Sequence, residues 1–221
     1  MVVRIQLKSL IALTVLLLTL PLAARAQEAT APATAGDSSE ASFERVAFQD
    51  QMRKLWEDHI TWTRLYIVSF AADLPDQDLT AQRLLRNQTD IGNAIKPFYG
   101  EEAGNQLTAL LETHIQGAVD LLKAAKSGDP AAVEQASAAW YANANDIAAF
   151  LNQANPESWP LADLQAQMKM HLDLTLQEAT AHLTGDYAAD IAAYDQVHDH
   201  ILKLADLLST GIMQQFSDQF A

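Results

Sequence analysis

Two similar stretches, LLETHIQGAVDLLKAAKSGD (110–129) and AQMKMHLDLTLQEATAHLTGD (166–186), decide the fold of this chain. When they are aligned at an offset of 57 residues, their histidines coincide and both stretches end in Gly-Asp. Apolar residues recur in them every three or four positions, which is typical of an amphipathic helix. The Gly-Asp pair predicts a helix end followed by a helix start, because glycine adopts the left-handed C-terminal cap and aspartate caps the next helix. Each stretch is therefore expected to be the first helix of a hairpin.

The rest of the chain extends this repeat. The stretches RNQTDIGNAI (86–95) and ANANDIAAFL (142–151) align with each other and place an asparagine and an aspartate at equivalent positions. In the first predicted helix, His59 occupies the place of the repeated histidine. Short connections make neighbouring helices antiparallel. The sequence thus predicts an all-α protein, an antiparallel helical bundle of about six helices built from three degenerate hairpins.

Proline, glycine and aspartate clusters predict where the helices end. The first helix is expected at about 43–72, the second at about 77–96, and the last to run to about residue 211. The predicted breaks fall at 72–76, 97–100, 128–130, 155–160 and 185–186.

The N-terminal 26 residues have the pattern of a cleavable secretory signal. Arg4 and Lys8 precede an apolar run at 10–20, and Ala24-Arg25-Ala26 fits the small-x-small cleavage pattern. Residues 27–42 contain no large apolar side chain and predict a disordered spacer, which leaves 43–221 as the helical domain. We therefore expect a periplasmic or secreted protein that is not inserted in a membrane after cleavage. The alternative is an uncleaved N-terminal anchor, which the cleavage pattern disfavours.

The charge of the chain bears on its partners. Signal cleavage removes three of the 14 basic residues and none of the 28 acidic ones, so the net charge changes from −14 to −17. Such a surface repels nucleic acid, which is therefore not expected as a partner. The chain contains no cysteine, which excludes disulfides and thiol chemistry. The sequence identifies no protein partner.

A layer of polar residues is predicted in the middle of the bundle. His114 and His171 each precede the glycine of their turn by 14 residues, and Asn143 and His200 each follow the aspartate by 14. Equal counts from a turn give equal heights in an antiparallel hairpin, about 20 Å from that end. Six polar residues occupy these core-facing positions: His59, Asn87, His114, Asn143, His171 and His200.

Imidazoles at one level with carboxylates nearby are typical of a transition-metal site for Zn, Cu, Ni or Fe. The candidate ligands are His59, His114, His171 and His200. Asp90 and Asp146 lie about one turn further along their helices and could ligate the metal or orient the ring N–H groups. The leading hypothesis is therefore an exported binding protein with a metal held in this layer.

Two alternatives stay open. The same layer could hydrogen-bond to itself and fix the helix register, in a structural or interaction protein. An enzyme could use the same pocket, but the chain has no phosphate-binding glycine loop, no Gly-x-Ser-x-Gly and no nucleophile–base pair. A di-iron carboxylate site needs two Glu-x-x-His motifs, and only the related 195–198 stretch, DQVH, is found. A binding function is thus favoured over an enzymatic one.

Four stretches carry a family resemblance: WEDHITWTRLYIVSFAADLPDQD, RLLRNQTDIGNAIKPFYG, WYANANDIAAFLNQANPESW and YDQVHDHILKLADLLSTGIMQQF. Together they resemble a family of exported bacterial helical proteins without an assigned activity, over nearly all of residues 50–220. The resemblance implies export and an all-α fold, and no established substrate. Some members carry kinase or glycosyltransferase names, but this chain has no nucleotide-binding unit or α/β pattern to support them.

Overall fold

The computed structural model describes residues 35–221, and this part of the chain is helical throughout, without a strand. It confirms the predicted all-α helical bundle. The predicted signal (1–26) and the first part of the predicted spacer lie outside the described residues. The elements are α1 (Ala35–Ala71), α2 (Gln77–Ser127), α3 (Pro130–Ala154), α4 (Leu161–Thr184), α5 (Tyr187–Gln215) and a final 3-10 helix (Ser217–Phe220).

The structure has five helical elements, one fewer than predicted, because no loop separates the two segments of α2 at the expected break, 97–100. Only Gly100 there has non-helical angles, φ 87° and ψ 169°, a region open almost solely to glycine. The parts of α2 on either side of it lie against each other. A Cβ built on Gly92 would be 2.5 Å from the carbonyl oxygen of Gly104 and would collide with the Thr108 hydroxyl. The interruption is thus a single residue rather than a loop.

The first helix begins earlier than predicted. α1 starts at Ala35, inside the predicted spacer 27–42, rather than at residue 43. No proline interrupts 35–42, and serine, aspartate and glutamate suit the first turns of a helix. Phe43 and Val46 are 74% and 53% exposed, so this start of α1 extends beyond the core.

The predicted Gly-Asp turns are confirmed. Gly128 and Gly185 have φ values of 71° and 77°, the left-handed conformation that ends a helix. The carboxylates of Asp129 and Asp186 then accept hydrogen bonds from backbone N–H groups in the first turn of α3 and α5. These caps fix the ends of the helices, and so they determine the heights of the histidines and asparagines of the central layer.

The helices pack in a closed order. Each helix contacts the next along the chain, and α1 also packs against α5. A large apolar cluster draws on all five helices and a smaller one on α1, α2 and α4. On α1 the large cluster extends to Ile60 and the small one begins at Tyr66, while on α4 the corresponding residues are Leu172 and Ala179. The predicted histidine layer lies near this boundary. Among the described residues no helix is long and apolar enough to cross a membrane.

Candidate metal centre

Three of the four predicted histidines meet in the core. His59 of α1, His114 of α2 and His171 of α4 are only 2%, 3% and 4% exposed. One ring nitrogen from each lies within 4.8 Å of the others. Their ring centroids are 5.6 to 6.2 Å apart. We call these residues the histidine trio.

Three hydrogen bonds between helices hold this layer at a fixed height. In each, a side-chain N–H donates to the backbone carbonyl four residues before a trio histidine. The same contact therefore recurs once for each trio member, and it uses the residues that the sequence repeat aligned. The pairs are Asn87 with Leu55 (3.0 Å), Asn143 with Leu110 (3.1 Å) and His200 with Gln167 (3.1 Å).

The contacts of His114 define its tautomer. Its Nδ1 lies 3.1 Å from the side-chain oxygen of Asn143. Because the Asn143 amide nitrogen already donates to Leu110, its oxygen faces His114 and can only accept. Nδ1 of His114 therefore carries the proton, and Nε2 keeps the lone pair that a metal ligand requires.

Buried polar atoms without a hydrogen-bond partner concentrate around the trio. Nδ1 of His59 and Nδ1 of His171 are two of them. The side-chain oxygen of Gln88 is another, although Gln88 lies close enough to His59 to raise its pKa. The indole nitrogens of Trp56 and Trp140 are also unpartnered, and their rings lie 5.9 Å from His59 and 5.4 Å from His114. Buried polar atoms are usually hydrogen-bonded, so these atoms distinguish the surroundings of the trio from most of the described core.

Burial keeps the trio uncharged. It lowers the pKa of His59 to about 3, with neighbouring His114 adding to the shift and Gln88 opposing it. Burial also lowers the pKa of His114 to about 4, and the hydrogen bond that its ring donates to Asn143 opposes this shift. The pKa of His171 lies well below its ordinary value because of burial and then its three histidine neighbours. All three rings are neutral at pH 7, the form that binds metals.

The other predicted site residues lie outside the trio. His200 stacks on His171 with ring centroids 6.2 Å apart, but its Nε2 is committed to the Gln167 carbonyl. Asp90 is half-buried, Asp146 is exposed, and neither belongs to the group of close ligand atoms. Each aspartate follows its asparagine by three residues, a rotation of about 300° around the helix. That rotation moves the carboxylates away from the core-facing direction.

A second buried polar group was not predicted from the sequence. Arg64 donates to Glu178 at 2.8 Å and to Asp190 at 2.7 Å, and His182 lies 2.8 Å from Asp190. Burial raises the pKa of Glu178 to about 7 despite Arg64. The spacing of His171, Thr175, Glu178 and His182 was the available signal, but it fits a solvated stripe equally well. We call Arg64, Glu178, His182 and Asp190 the Arg64 network.

Comparison with family models, with curated proteins and with solved structures finds no match to this chain. The resemblance to exported bacterial helical proteins therefore stays a prediction.

Proposed function

We propose that this chain is an exported binding protein that holds one transition-metal ion through His59, His114 and His171. The observation that carries the proposal is the convergence of three buried ring nitrogens from three different helices. Neutral imidazoles are borderline ligands that suit Zn²⁺, Cu²⁺, Ni²⁺ and Fe²⁺. The unpartnered Nδ1 atoms of His59 and His171 support the same conclusion.

The dimensions of the trio fit such an ion after a small adjustment. Zinc–nitrogen bonds of about 2.0–2.1 Å place tetrahedral nitrogens about 3.3 Å apart. The trio nitrogens lie within 4.8 Å of one another, so side-chain movements of about 1 Å would bring all three to bonding distance of one ion. Three protein ligands leave a fourth position for an exogenous group. Copper(II) should bind most tightly in titrations, since affinity for a fixed nitrogen site peaks there.

The proposal also covers the internal repeat of the sequence. We infer that the bundle consists of three hairpins: α1 with the first segment of α2, the second segment of α2 with α3, and α4 with α5. Gly100 then joins the first hairpin to the second. The recurring bond to the carbonyl four residues before each trio histidine supports this, because one contact is used three times. In this arrangement each hairpin supplies one imidazole. Export through residues 1–26 is part of the same proposal and rests on the sequence pattern.

A second candidate function is structural. The bonds from Asn87, Asn143 and His200 to backbone carbonyls join neighbouring helices and would fix their register without any metal. In that case the buried imidazoles would act as packing and hydrogen-bonding groups. The two functions differ in whether a stoichiometric metal ion stabilises the protein.

Calorimetric titration of the metal-stripped mature protein with Cu²⁺, Zn²⁺ and Ni²⁺ distinguishes them. We expect one ion per chain and a melting temperature that rises with metal concentration, because binding to the folded state adds about 2.7 kcal/mol at 100 times Kd. His→Ala at each trio position should weaken binding at least about 100-fold, more than loss of a supporting contact does. His198→Ala is the matched control, since His198 is half-buried and pairs with Glu57 away from the trio. Equal affinities for wild type and trio variants would support the structural function.

A further inference from the structure

A cavity of about 40 Å³ lies among α1, α2, α3 and α4, on the C-terminal side of the trio. Residues four and eight positions after each trio histidine line it, so it is framed by the same three helices. Trp140 of α3 also lines it, and the ring of Trp140 is 5.4 Å from that of His114. The six framing residues are Thr63, Ile67, Ala118, Leu122, Thr175 and Ala179.

The lining of this cavity is effectively apolar. Its other side chains are mainly aliphatic or aromatic. The hydroxyl of Thr63 donates to the His59 carbonyl at 2.7 Å, and that of Thr175 donates to the His171 carbonyl at 2.8 Å. Both hydroxyl protons are thus committed to the helix backbone. A charged ligand would lose its hydration here with little compensation, because few polar groups line the cavity, so the cavity favours uncharged and mainly apolar molecules.

The volume of the cavity limits the size of its ligand. One water molecule needs about 10–15 Å³ of such space, and an engineered cavity of about 150 Å³ in another protein takes benzene or xenon. At about 40 Å³ the cavity lies between these cases. It therefore suits a molecule of two or three heavy atoms and is too small for an aromatic ring.

We infer that this cavity binds a small apolar molecule, of the size of a diatomic gas such as dioxygen or nitric oxide, next to the histidine trio. Trp140 lines the cavity, and its ring also lies next to that of His114. A ligand in the cavity should therefore change the surroundings of the trio. The use of such a molecule as a ligand of the metal rests on the proposed function, whereas its binding in the cavity does not.

Xenon is the probe for the test, and the metal-free mature protein with an intact trio is titrated with it. Binding is followed through the indole N–H resonance of Trp140 and the ring resonances of His114. We expect both to shift and to saturate as the xenon pressure rises. Absence of a saturable shift at these two residues would overturn the inference.

Variants that fill the cavity provide the comparison. Ala179→Leu should weaken xenon binding at least about tenfold, because the added side chain occupies the space. Ala162→Leu is the matched control, since Ala162 is exposed at the start of the same helix and should leave binding unchanged. If Ala179→Leu does not fold, Ala118→Leu fills the cavity from α2. Unchanged xenon binding in a folded filling variant also overturns the inference.

The metal titration separates this inference from the proposed function. Ala179→Leu keeps all three trio histidines and should bind metal as the wild type does. Saturable xenon binding in a protein that binds no metal would support the cavity and remove the metal centre. Metal binding without a xenon response would support the metal centre and overturn the inference about the cavity.

Discussion

His114 Nδ1 donates to the side-chain oxygen of Asn143 across 3.1 Å, and Asn143 donates in turn to the carbonyl of Leu110, one turn before that histidine. The asparagine thus binds the histidine-bearing segment twice, once at the ring and once at the backbone. It sets the orientation and the tautomer of the imidazole together.

Replacing this asparagine should therefore affect metal affinity as well as stability. We expect Asn143→Ala to weaken metal binding about 10–100-fold, because His114 loses the partner that orients its ring. The unpaired Nδ1 should also lower the free energy of unfolding by about 1–3 kcal/mol. Calorimetric titration and urea unfolding measure the two effects. Asn145→Ala, at an exposed position on the same helix, should change neither, and equal metal affinities for all three proteins would contradict the orienting role.

Acid should destabilise the metal-free protein. The unfolded histidines have a pKa of about 6.5. The folded values are about 3 for His59 and about 4 for His114. Between these limits the unfolded state binds more protons, so the free energy of unfolding falls as the pH falls below about 6.5.

The expected slope is about 1.4 kcal/mol per pH unit for each histidine that stays neutral in the folded state. Urea unfolding of the metal-free protein at pH 7, 6 and 5 gives this slope. His114→Gln should reduce this slope, because it removes one of the histidines that stay neutral in the folded state. A flat profile below pH 6.5 in the wild type would show that the trio is accessible to protons.

Glu178 should act in the opposite direction. Its pKa is about 7 in the folded protein and about 4.5 when unfolded, so between these values the folded state binds more protons. This residue therefore contributes a loss of stability as the pH rises from 4.5 to 7. Glu178→Gln removes the ionisation and keeps an acceptor for Arg64. The free energy of unfolding of the variant, relative to wild type, should increase over this range.

Urea unfolding of both proteins at several pH values checks this difference. A constant difference between Glu178→Gln and wild type across pH 4.5–7 would mean that Glu178 does not titrate there.

The glycines around the interruption of α2 should differ in their sensitivity to substitution. Gly100→Ala meets no neighbouring atom, so its cost is the backbone strain of about 1–3 kcal/mol at φ 87°. Gly92→Ala brings a Cβ to 2.5 Å from the Gly104 carbonyl and into the Thr108 hydroxyl. Backbone must then move, so Gly92→Ala should be the more destabilising change in thermal and urea unfolding. The opposite order would contradict the close packing of these two segments.

The sequence predicts the height of the site along the bundle better than it predicts which residues form the site. Capping glycines and aspartates are local signals, so counting from them places His114 and His171 at one level. Lateral convergence depends on how the helices cross, and no local pattern encodes that. For this reason the sequence also predicts His200, equally distant from its turn, as a ligand, although the structure directs its Nε2 to a backbone carbonyl.

The supporting residues show the same limit. The sequence predicts Asp90 and Asp146 as supporting residues because carboxylates often orient metal-bound imidazoles. A histidine in this core is instead oriented by an asparagine, which was aligned with the layer but given no specific partner. Glu178 is one of the more deeply buried charged residues, and it was missed because its partner Arg64 lies 114 positions earlier in the chain. Such distant pairing is a property of the folded state.

The packing of α1 against α5 has a consequence for the order of events during biosynthesis. His59 is made first among the trio, yet its helix packs against α5, which follows the other four helices in chain order, and Arg45 donates to the carbonyl of Phe220. The first helix therefore lacks this neighbour until residues 187–215 have been synthesised. Under the export proposed above, a chain threaded unfolded through a translocation pore would pair α1 with α5 only after α5 has crossed. An ion that depends on the folded bundle would then bind on the far side of the membrane.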